Sequence, residues 1–181
     1  MVKKLIGSVG LTTDTSGLAT SVLTTKGDLA TYSTSRVRIG IGNNSDIFVA
    51  DSGEATGNKW TANTTSFVLA CSDETTAIDS TGTKLTFYTP FAFKVTEVRA
   101  SLTTTSSSGT PTIDINDGAT TILSTKITID AGDLISTDSA TQPVISDSDL
   151  ADKAKITIDI DVTGTDATGL KCYIIGYRVA H

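Results

Sequence analysis

The chain has 181 residues, a net charge of −6 and an apolar fraction of 38%. This length suits one ordinary domain, or a small domain behind an attachment region, and argues against two large domains. The negative charge disfavours nucleic-acid and anionic-membrane partners, because both bind clustered lysine and arginine. No apolar run approaches the roughly 18 residues of a membrane helix, so we expect a soluble protein without a targeting segment.

Threonine, serine, glycine, aspartate, valine and isoleucine dominate the composition, and aromatic residues make up only 6%. β-Branched residues favour strands, while glycine and aspartate favour the turns between them. The composition therefore predicts an all-β chain. Its core should be thin, which favours completion of the fold by other copies of the chain.

Residues 1–62 show no sustained periodicity, because glycines interrupt each candidate element after a few residues. This spacing predicts an extended, glycine-rich N-terminal arm with short strands at 21–24, 36–41 and 46–50. Little core can form within one copy of this region, so we interpret residues 1–62 as an attachment arm.

From residue 63 the pattern changes to strand-length runs separated by turn signals. Such a series predicts an antiparallel β-sandwich over residues 63–181, of jelly-roll or related type. The predicted strands are 66–71, 84–89, 91–102, 112–116, 121–130, 155–162 and 170–179.

Two of these runs predict local geometry. Ile156, Ile158 and Ile160 fall on every second position, which predicts one buried face and one face of lysine, threonine and aspartate in water. Apolar positions in 91–102 change phase near Thr96 and Glu97, and a β-bulge there would absorb the change.

The connections carry signals of their own. Asp117-Gly118 predicts a tight hairpin between strand 112–116 and the strand that begins near residue 121. Residues 103–109 contain no apolar side chain and are predicted to form an exposed, mobile loop. The polar connection 136–149 has room for a short strand at 143–145.

Candidate catalytic and cofactor residues are few. His181 is the only histidine and ends the chain, so no Ser-His-Asp or Cys-His arrangement is expected. Asp159 and Asp161 share a strand face and could form a carboxylate pair, but a solvated face is the simpler interpretation. The segment from Asp114 to Gly118 lacks the ligand spacing of a calcium loop. We therefore predict no enzyme activity and no metal site.

Three further features are interpreted as structural. Gly40-Ile41-Gly42 lacks the lysine and helix of a phosphate-binding loop and is interpreted as a turn. Cys71 and Cys172 are interpreted as reduced core residues, consistent with assembly in a cytoplasm. Trp60, the only tryptophan, is either an interface or core residue or a stacking platform for sugar. No cofactor is predicted.

Residues 23–60 resemble a module of tailed-bacteriophage structural proteins. Three blocks carry the resemblance: a start with Thr25-Lys26-Gly27-Asp28-Leu29, a middle with Arg36 and Gly40, and an end with Ala50-Asp51-Ser52, Gly57 and Lys59-Trp60. In the usual pattern the middle continues with glycine and a polar turn before a leucine strand, whereas here residues 42–46 lead to Ile47-Phe48-Val49. The region from Pro90 to Lys171 resembles a second phage module.

The resemblance implies a surface component of the virion, commonly trimeric, of the kind found among capsid decoration proteins, head fibres and tail fibres. At 181 residues, a decoration or cement protein that binds the major capsid protein or another virion protein fits better than a complete fibre. The implied attachment and oligomer residues are Lys26, Gly27, Asp28, Leu29, Arg36, Gly40, Asp51, Gly57 and Trp60.

Two other functions stay open at this point. A tail or head fibre would adhere to host sugar or protein, through loops such as 103–109. A depolymerase would need carboxylates clustered between chains, Asp159 and Asp161 among them.

Overall fold

A computed structural model describes residues 26, 28–32, 36–43 and 46–179. Every regular element in these ranges is a β-strand, so the all-β prediction is confirmed. The chain divides into two compact units, Met1–Ala62 and Asn63–His181, at the residue where the sequence pattern changes. The predicted strand at 21–24 and His181 lie outside the described residues.

The first unit contains two antiparallel hairpins. In one, β1 (Leu29–Tyr32) pairs with β2 (Arg36–Ile39), and in the other, β3 (Asp46–Ala50) pairs with β4 (Asn58–Ala62). The predicted strand 46–50 has the observed bounds. The predicted strand 36–41 is two residues shorter, because the backbone leaves the ladder at Gly40.

The second unit is built from eleven strands. In chain order they are β5 (Thr64–Ala70), β6 (Gly82–Tyr88), β7 (Phe93–Ser101), β8 (Thr112–Asp117), β9 (Thr120–Thr121), β10 (Leu123–Thr125), β11 (Ile127–Thr128), β12 (Val144–Ile145), β13 (Asp149–Leu150), β14 (Lys155–Val162) and β15 (Lys171–Arg178). The short strand expected at 143–145 is confirmed as β12.

Eight of these strands form two four-membered sheets, ordered β13-β7-β15-β5 and β11-β8-β14-β6. Numbered along the chain from one to eight, they read 6-3-8-1 and 5-4-7-2, which is the strand order of a jelly roll. β9 extends the ladder on β8, and β10 pairs with β12. The sandwich is therefore a jelly roll, one of the types that the turn spacing left open.

The core lies between the two sheets and follows from the alternation of apolar residues. Ile156, Ile158 and Ile160 on β14 are 0%, 0% and 1% exposed, and they share one buried cluster with Cys172 and Ile174 of β15. β14 and β15 are each flanked on both sides within their sheets. The prediction of a buried isoleucine face is confirmed, and both central strands place that face in the core.

The predicted bulge is present in β7. Ile175 pairs with Glu97 and Gly176 pairs with Val95, so Thr96 has no partner in the ladder. The extra residue lets apolar side chains on both sides of the bulge point inward, as a β-bulge requires. The buried residues of this strand are Phe93, Val95, Val98 and Ala100.

The hairpin after β8 is also confirmed. Asp117 pairs with Thr120, which leaves Gly118 and Ala119 as the two turn residues. Gly118 has a φ of 61°, a conformation that glycine adopts without strain. The turn is thus one residue further along than the Asp-Gly pair suggested.

The single strand predicted at 121–130 is wrong, because this stretch is divided among β9, β10 and β11. Its buried residues are Ile122, Leu123, Ile127 and Ile129, and a strand that alternates cannot bury this spacing. The chain instead leaves β8, pairs with β12 through β10 and then returns to β8.

The prediction that residues 103–109 form an exposed loop is confirmed at Thr103, Thr104, Ser107, Ser108 and Gly109 but is wrong at Ser106. Ser106 is 0% exposed, and its hydroxyl accepts a hydrogen bond from the Thr165 amide at 3.0 Å. The Thr103 and Ser107 amides donate to the carbonyls of Thr168 and Thr165 at 2.8 and 2.9 Å. The loop is polar because it bonds to another loop, and residues 163–168 hold it in place.

Gly176 permits the bulge, because a methyl group at residue 176 would overlap the carbonyl oxygen of Lys94. We expect Gly176→Ala to lower the free energy of unfolding of the sandwich by about 1–3 kcal/mol, the usual cost of overpacking. Urea denaturation followed by circular dichroism should show a lower midpoint at an unchanged slope.

Gly40→Ala is the control for Gly176→Ala, since a Cβ at residue 40 would meet its nearest neighbour at 3.5 Å. In the same urea denaturation, it should leave the free energy of unfolding of the sandwich within about 0.5 kcal/mol of the wild-type value. Equal midpoints for Gly176→Ala and the wild type would show that the sheet relaxes around the methyl group.

Candidate attachment site

The first motif block is tied to the second by a bidentate ion pair. Arg38 donates from Nε to Oδ2 of Asp28 at 2.5 Å and from Nη2 to Oδ1 at 3.1 Å. The Asp28 side chain is 0% exposed, whereas that of Arg38 is 42% exposed. The hydrogen bond to Asp28 raises the pKa of Arg38. Because a buried carboxylate needs such a partner, this pair fixes the entry to β1 against β2.

The third block is tied to the second through Trp60. Its indole Nε1 donates to the carbonyl oxygen of Gly40 at 2.8 Å, and its ring lies 5.0 Å from that of Phe48, measured between centroids. A Cβ on Gly42 would lie 2.7 Å from Cγ of Trp60. Glycine at residue 42 therefore lets the 40–42 segment approach the indole, which links the two hairpins.

Asp51 closes the turn between β3 and β4. Its carboxylate pairs with Lys59 Nζ at 2.6 Å and accepts the Gly53 amide at 2.8 Å. The Asp51 amide donates to the carbonyl of Gly57 at 2.8 Å, and Gly57 has a φ of 71°. The hydrogen bond from Lys59, followed by that from Gly53, holds the pKa of Asp51 below its usual range.

The predicted attachment residues thus divide by role. Asp28, Gly40, Asp51, Gly57 and Trp60 hold the hairpins of the first unit together. The remaining four are Lys26, which is exposed, Leu29, which is 38% exposed on β1, Arg36, the first residue of β2, and Gly27, which lies outside the described residues.

Sequence reasoning missed Arg38 and Gly42. Arg36 was chosen from the resemblance, but Asp28 pairs with the arginine two positions later on the same strand. A second arginine two positions after Arg36 was a visible signal in the sequence. For Gly42 the sequence carries no signal, because the contact with Trp60 joins separate hairpins.

The first unit exposes large apolar side chains. None of its described apolar residues is buried, and the buried hydrophobic residues of the described chain begin only at Cys71. We call the large apolar side chains that this unit exposes the apolar set. It consists of Leu29, Ile41, Ile47 and Phe48, which are 38%, 59%, 42% and 39% exposed.

The carboxylates considered for catalysis lie on the outer face of β8 and β14. Lys126 pairs with Asp161 and, at 2.9 Å, with Asp114, and these hydrogen bonds raise the pKa of Lys126. Asp159 accepts the Asn116 side-chain amide at 3.0 Å through Oδ2. In the part of the chain that the structure describes, no three side chains of histidine, cysteine, aspartate or glutamate lie close enough together to hold a metal ion.

The polar face of β14 is less solvated than expected. Lys155 and Asp161 are exposed, as predicted, but Thr157 is only 9% exposed. Asp159 Oδ1 is buried and has no hydrogen-bond partner. The prediction of a wholly water-exposed face was therefore wrong at Thr157, whose hydroxyl accepts a hydrogen bond from the Asn116 side-chain amide at 3.4 Å, and at Asp159.

Both cysteines are free and buried, in agreement with the core interpretation. They lie at the end of the β5–β15 ladder, where the Cys71 amide donates to the Leu170 carbonyl at 2.8 Å. Burial raises the pKa of the Cys71 thiol to about 11 and raises that of Cys172 as well. A thiol in this state is a poor nucleophile.

Two grooves lie along β7. One, of about 200 Å³, is lined by Arg99, Tyr173, Ile135 and their neighbours. The other, of about 380 Å³, includes Glu97 and Gln142. Arg99 pairs with Glu97, and the Tyr173 hydroxyl lies 3.1 Å from that of Ser101.

Comparison with protein-family models, curated proteins and solved structures finds no match to this chain. No helix within residues 26, 28–32, 36–43 and 46–179 is long and apolar enough to span a membrane.

The depressed pKa of Asp51 makes the first unit pH-dependent. A carboxylate whose folded pKa is below its unfolded value of 3.8 stabilises the fold above that pH, and the contribution is lost as the pH falls through the folded value. Trp60 is the only tryptophan, so its fluorescence reports on this unit. The denaturant concentration at the midpoint of the Trp60 fluorescence transition should be lower at pH 3 than at pH 7.

Asp51→Asn should lower that midpoint at pH 7 and reduce its change between the two pH values. Asp79→Asn removes the same charge at an exposed position of the second unit and should behave as the wild type. If Asp51→Asn kept the full pH response, the Asp51–Lys59 pair would not be its source.

Proposed function

We propose that this chain is a structural protein of a tailed-bacteriophage virion, a trimeric decoration or cement protein that binds the major capsid protein and stabilises the head. The observation that carries the proposal is the contrast between the two units. The second unit buries a core of its own, whereas no described apolar residue of the first unit is buried and the apolar set is exposed.

Exposed apolar groups on a small unit favour contact with another molecule. Isolated two-stranded hairpins are marginally stable in water, and burying a side chain such as isoleucine contributes about 1.5–3 kcal/mol. Covering Leu29, Ile41, Ile47 and Phe48 on a particle surface, or between copies of the unit, would supply the missing burial. Three copies around one axis form a closed ring in which each unit contacts two others.

The internal contacts of the first unit support the resemblance to the phage module. Asp28 of the first block forms an ion pair with Arg38, which lies between Arg36 and Gly40 of the second block. Trp60 of the third block donates a hydrogen bond to the carbonyl oxygen of Gly40. Blocks that are separated in sequence are thus parts of one structural unit. The jelly roll of the second unit is an architecture of viral capsid and lectin domains, which agrees with the proposal at the level of fold.

Adhesion to a host surface is the second candidate, and the grooves along β7 favour it. An arginine-carboxylate pair beside a tyrosine ring offers both hydrogen bonds and a stacking surface to a sugar, as Arg99, Glu97 and Tyr173 do here. Gold-labelled antibody against residues 63–181 separates the two functions on intact particles. Label over the head supports decoration, and label confined to the tail supports a fibre.

The attachment role predicts the behaviour of a deletion. A chain that lacks residues 1–62 should fold, because the second unit holds its own core, but should not sediment with particles that lack the protein. Retained binding would contradict the assignment of attachment to the first unit.

Substitutions in the apolar set test the same role without removing the unit. The pair Ile41→Ser and Ile47→Ser should weaken binding to particles by roughly tenfold or more, given the burial lost. The matched pair Val144→Ser and Val162→Ser changes valines of the second unit that are 50% and 45% exposed and should leave binding unchanged. Equal effects of the two pairs would contradict the proposal.

A further inference from the structure

The last strand of one sheet presents an edge that no described residue pairs with at Ser66, Val68 and Ala70. β5 ends the sheet β13-β7-β15-β5, and its ladder with β15 runs without a register shift. The Cys71 amide donates to the Leu170 carbonyl at 2.8 Å. Hydrogen-bonded pairs alternate along an antiparallel ladder, so Leu69 and Phe67 also direct their N–H and C=O groups toward β15. The N–H and C=O groups of Ser66, Val68 and Ala70 therefore point away from β15.

The β5 edge, defined as these groups of Ser66, Val68 and Ala70, lacks the usual protection against strand pairing. Natural edges carry charges, prolines or bulges, or are very short. β6 has Lys84 at a register shift, and β11 and β13 have two residues each. Among the described edge strands of the sandwich, only β5 is seven residues long with no charge, proline or bulge.

The core is incompletely covered beside this edge. Phe67 and Leu69 on β5, with Leu85 and Phe87 on the neighbouring edge strand β6, are only partly buried. The inward residues of the central strands β14 and β15 are fully buried. Val68 on the outer face is 58% exposed. A strand added to β5 would satisfy the backbone groups and cover apolar surface in one step.

We propose that the β5 edge pairs antiparallel with the β5 edge of a second copy of this chain. Pairing about Val68 sets Val68 opposite Val68 of the second copy and Ser66 opposite its Ala70, so the side chains paired on the outer face are small and uncharged. On the inner face, Phe67 lies opposite Leu69 of the second copy, so that pair is apolar. Copies of a chain with net charge −6 repel one another, and residues 60–72 carry no charge. The proposed contact therefore brings no like charges together along the strand.

The symmetry of this pairing limits the contact to two chains. An antiparallel joint between identical edges is two-fold, so it occupies both edges and leaves no free edge for a third chain. On the proposed function, such joints would link neighbouring trimers into a network over the head. The joint itself does not depend on that function, and it forms between purified chains.

A cysteine at the two-fold centre tests the pairing in the full chain. Directly opposite residues of a hydrogen-bonded antiparallel pair have Cα atoms about 5.5 Å apart, which a disulfide can span. Val68→Cys should give a two-chain band on a non-reducing gel after mild oxidation, lost on reduction. Cys71 and Cys172 are buried, so the wild-type chain should not cross-link.

Two controls make the result decisive. Val144→Cys places a thiol at a valine that is 50% exposed and should give at least about tenfold less two-chain product, since its thiols meet only by diffusion. Val68→Lys puts like charges opposite each other and should raise the pair dissociation constant about tenfold or more in sedimentation. Thr86→Lys adds the same charge on β6 and should not.

Three outcomes would overturn the pairing. They are equal cross-linking of Val68→Cys and Val144→Cys, unchanged association of Val68→Lys, and cross-linking of Val68→Cys to a capsid chain on particles in place of its own copy. Particle binding does not enter the first two measurements, so the failure of this pairing and that of the proposed function are distinguishable.

Discussion

The burial of alternating side chains between two sheets is the constraint on which the second unit depends. A strand shifted by one residue would turn its isoleucines to water, so each long strand must keep phase with β14 and β15. Bulges perform this correction where the sequence changes phase, at Thr96 on β7 and at Lys84 on β6. The bulge on β7 also requires glycine at residue 176, because the Lys94 carbonyl oxygen occupies the place of a Cβ there.

The sequence predicted the elements in which a residue's environment follows from its near neighbours. The bounds 155–162 were correct because the isoleucines alternate without interruption, and the bulge at Thr96 was visible as a change of phase. Residues 121–130 and the buried Ser106 of loop 103–109 were predicted wrongly because their partners are remote. Ser106 is buried by bonds to residue 165, and no local pattern distinguishes it from an exposed serine.

The same distinction applies to the attachment site. The motif identified the residues that hold the hairpins, but it did not separate those with internal roles from those that face outward. Asp28, Gly40, Asp51, Gly57 and Trp60 are occupied by contacts within the first unit. The apolar side chains available to a partner include Leu29, which the motif marked, and Ile41 and Ile47, which it did not. A motif that records a fold need not record the surface the fold presents.

The two units are stabilised by different means, and this difference bears on how attachment would work. Exposed ion pairs such as Asp51–Lys59 contribute little to stability because water screens them, so polar contacts alone leave the first unit marginal. On the proposed function, part of the binding energy would be spent on ordering this unit, which lowers the affinity of one copy. Several copies held together by their sandwiches would recover that loss through effective concentration. Oligomerisation and attachment would then be one coupled property, with the stable jelly roll supplying the first and the marginal hairpins the second.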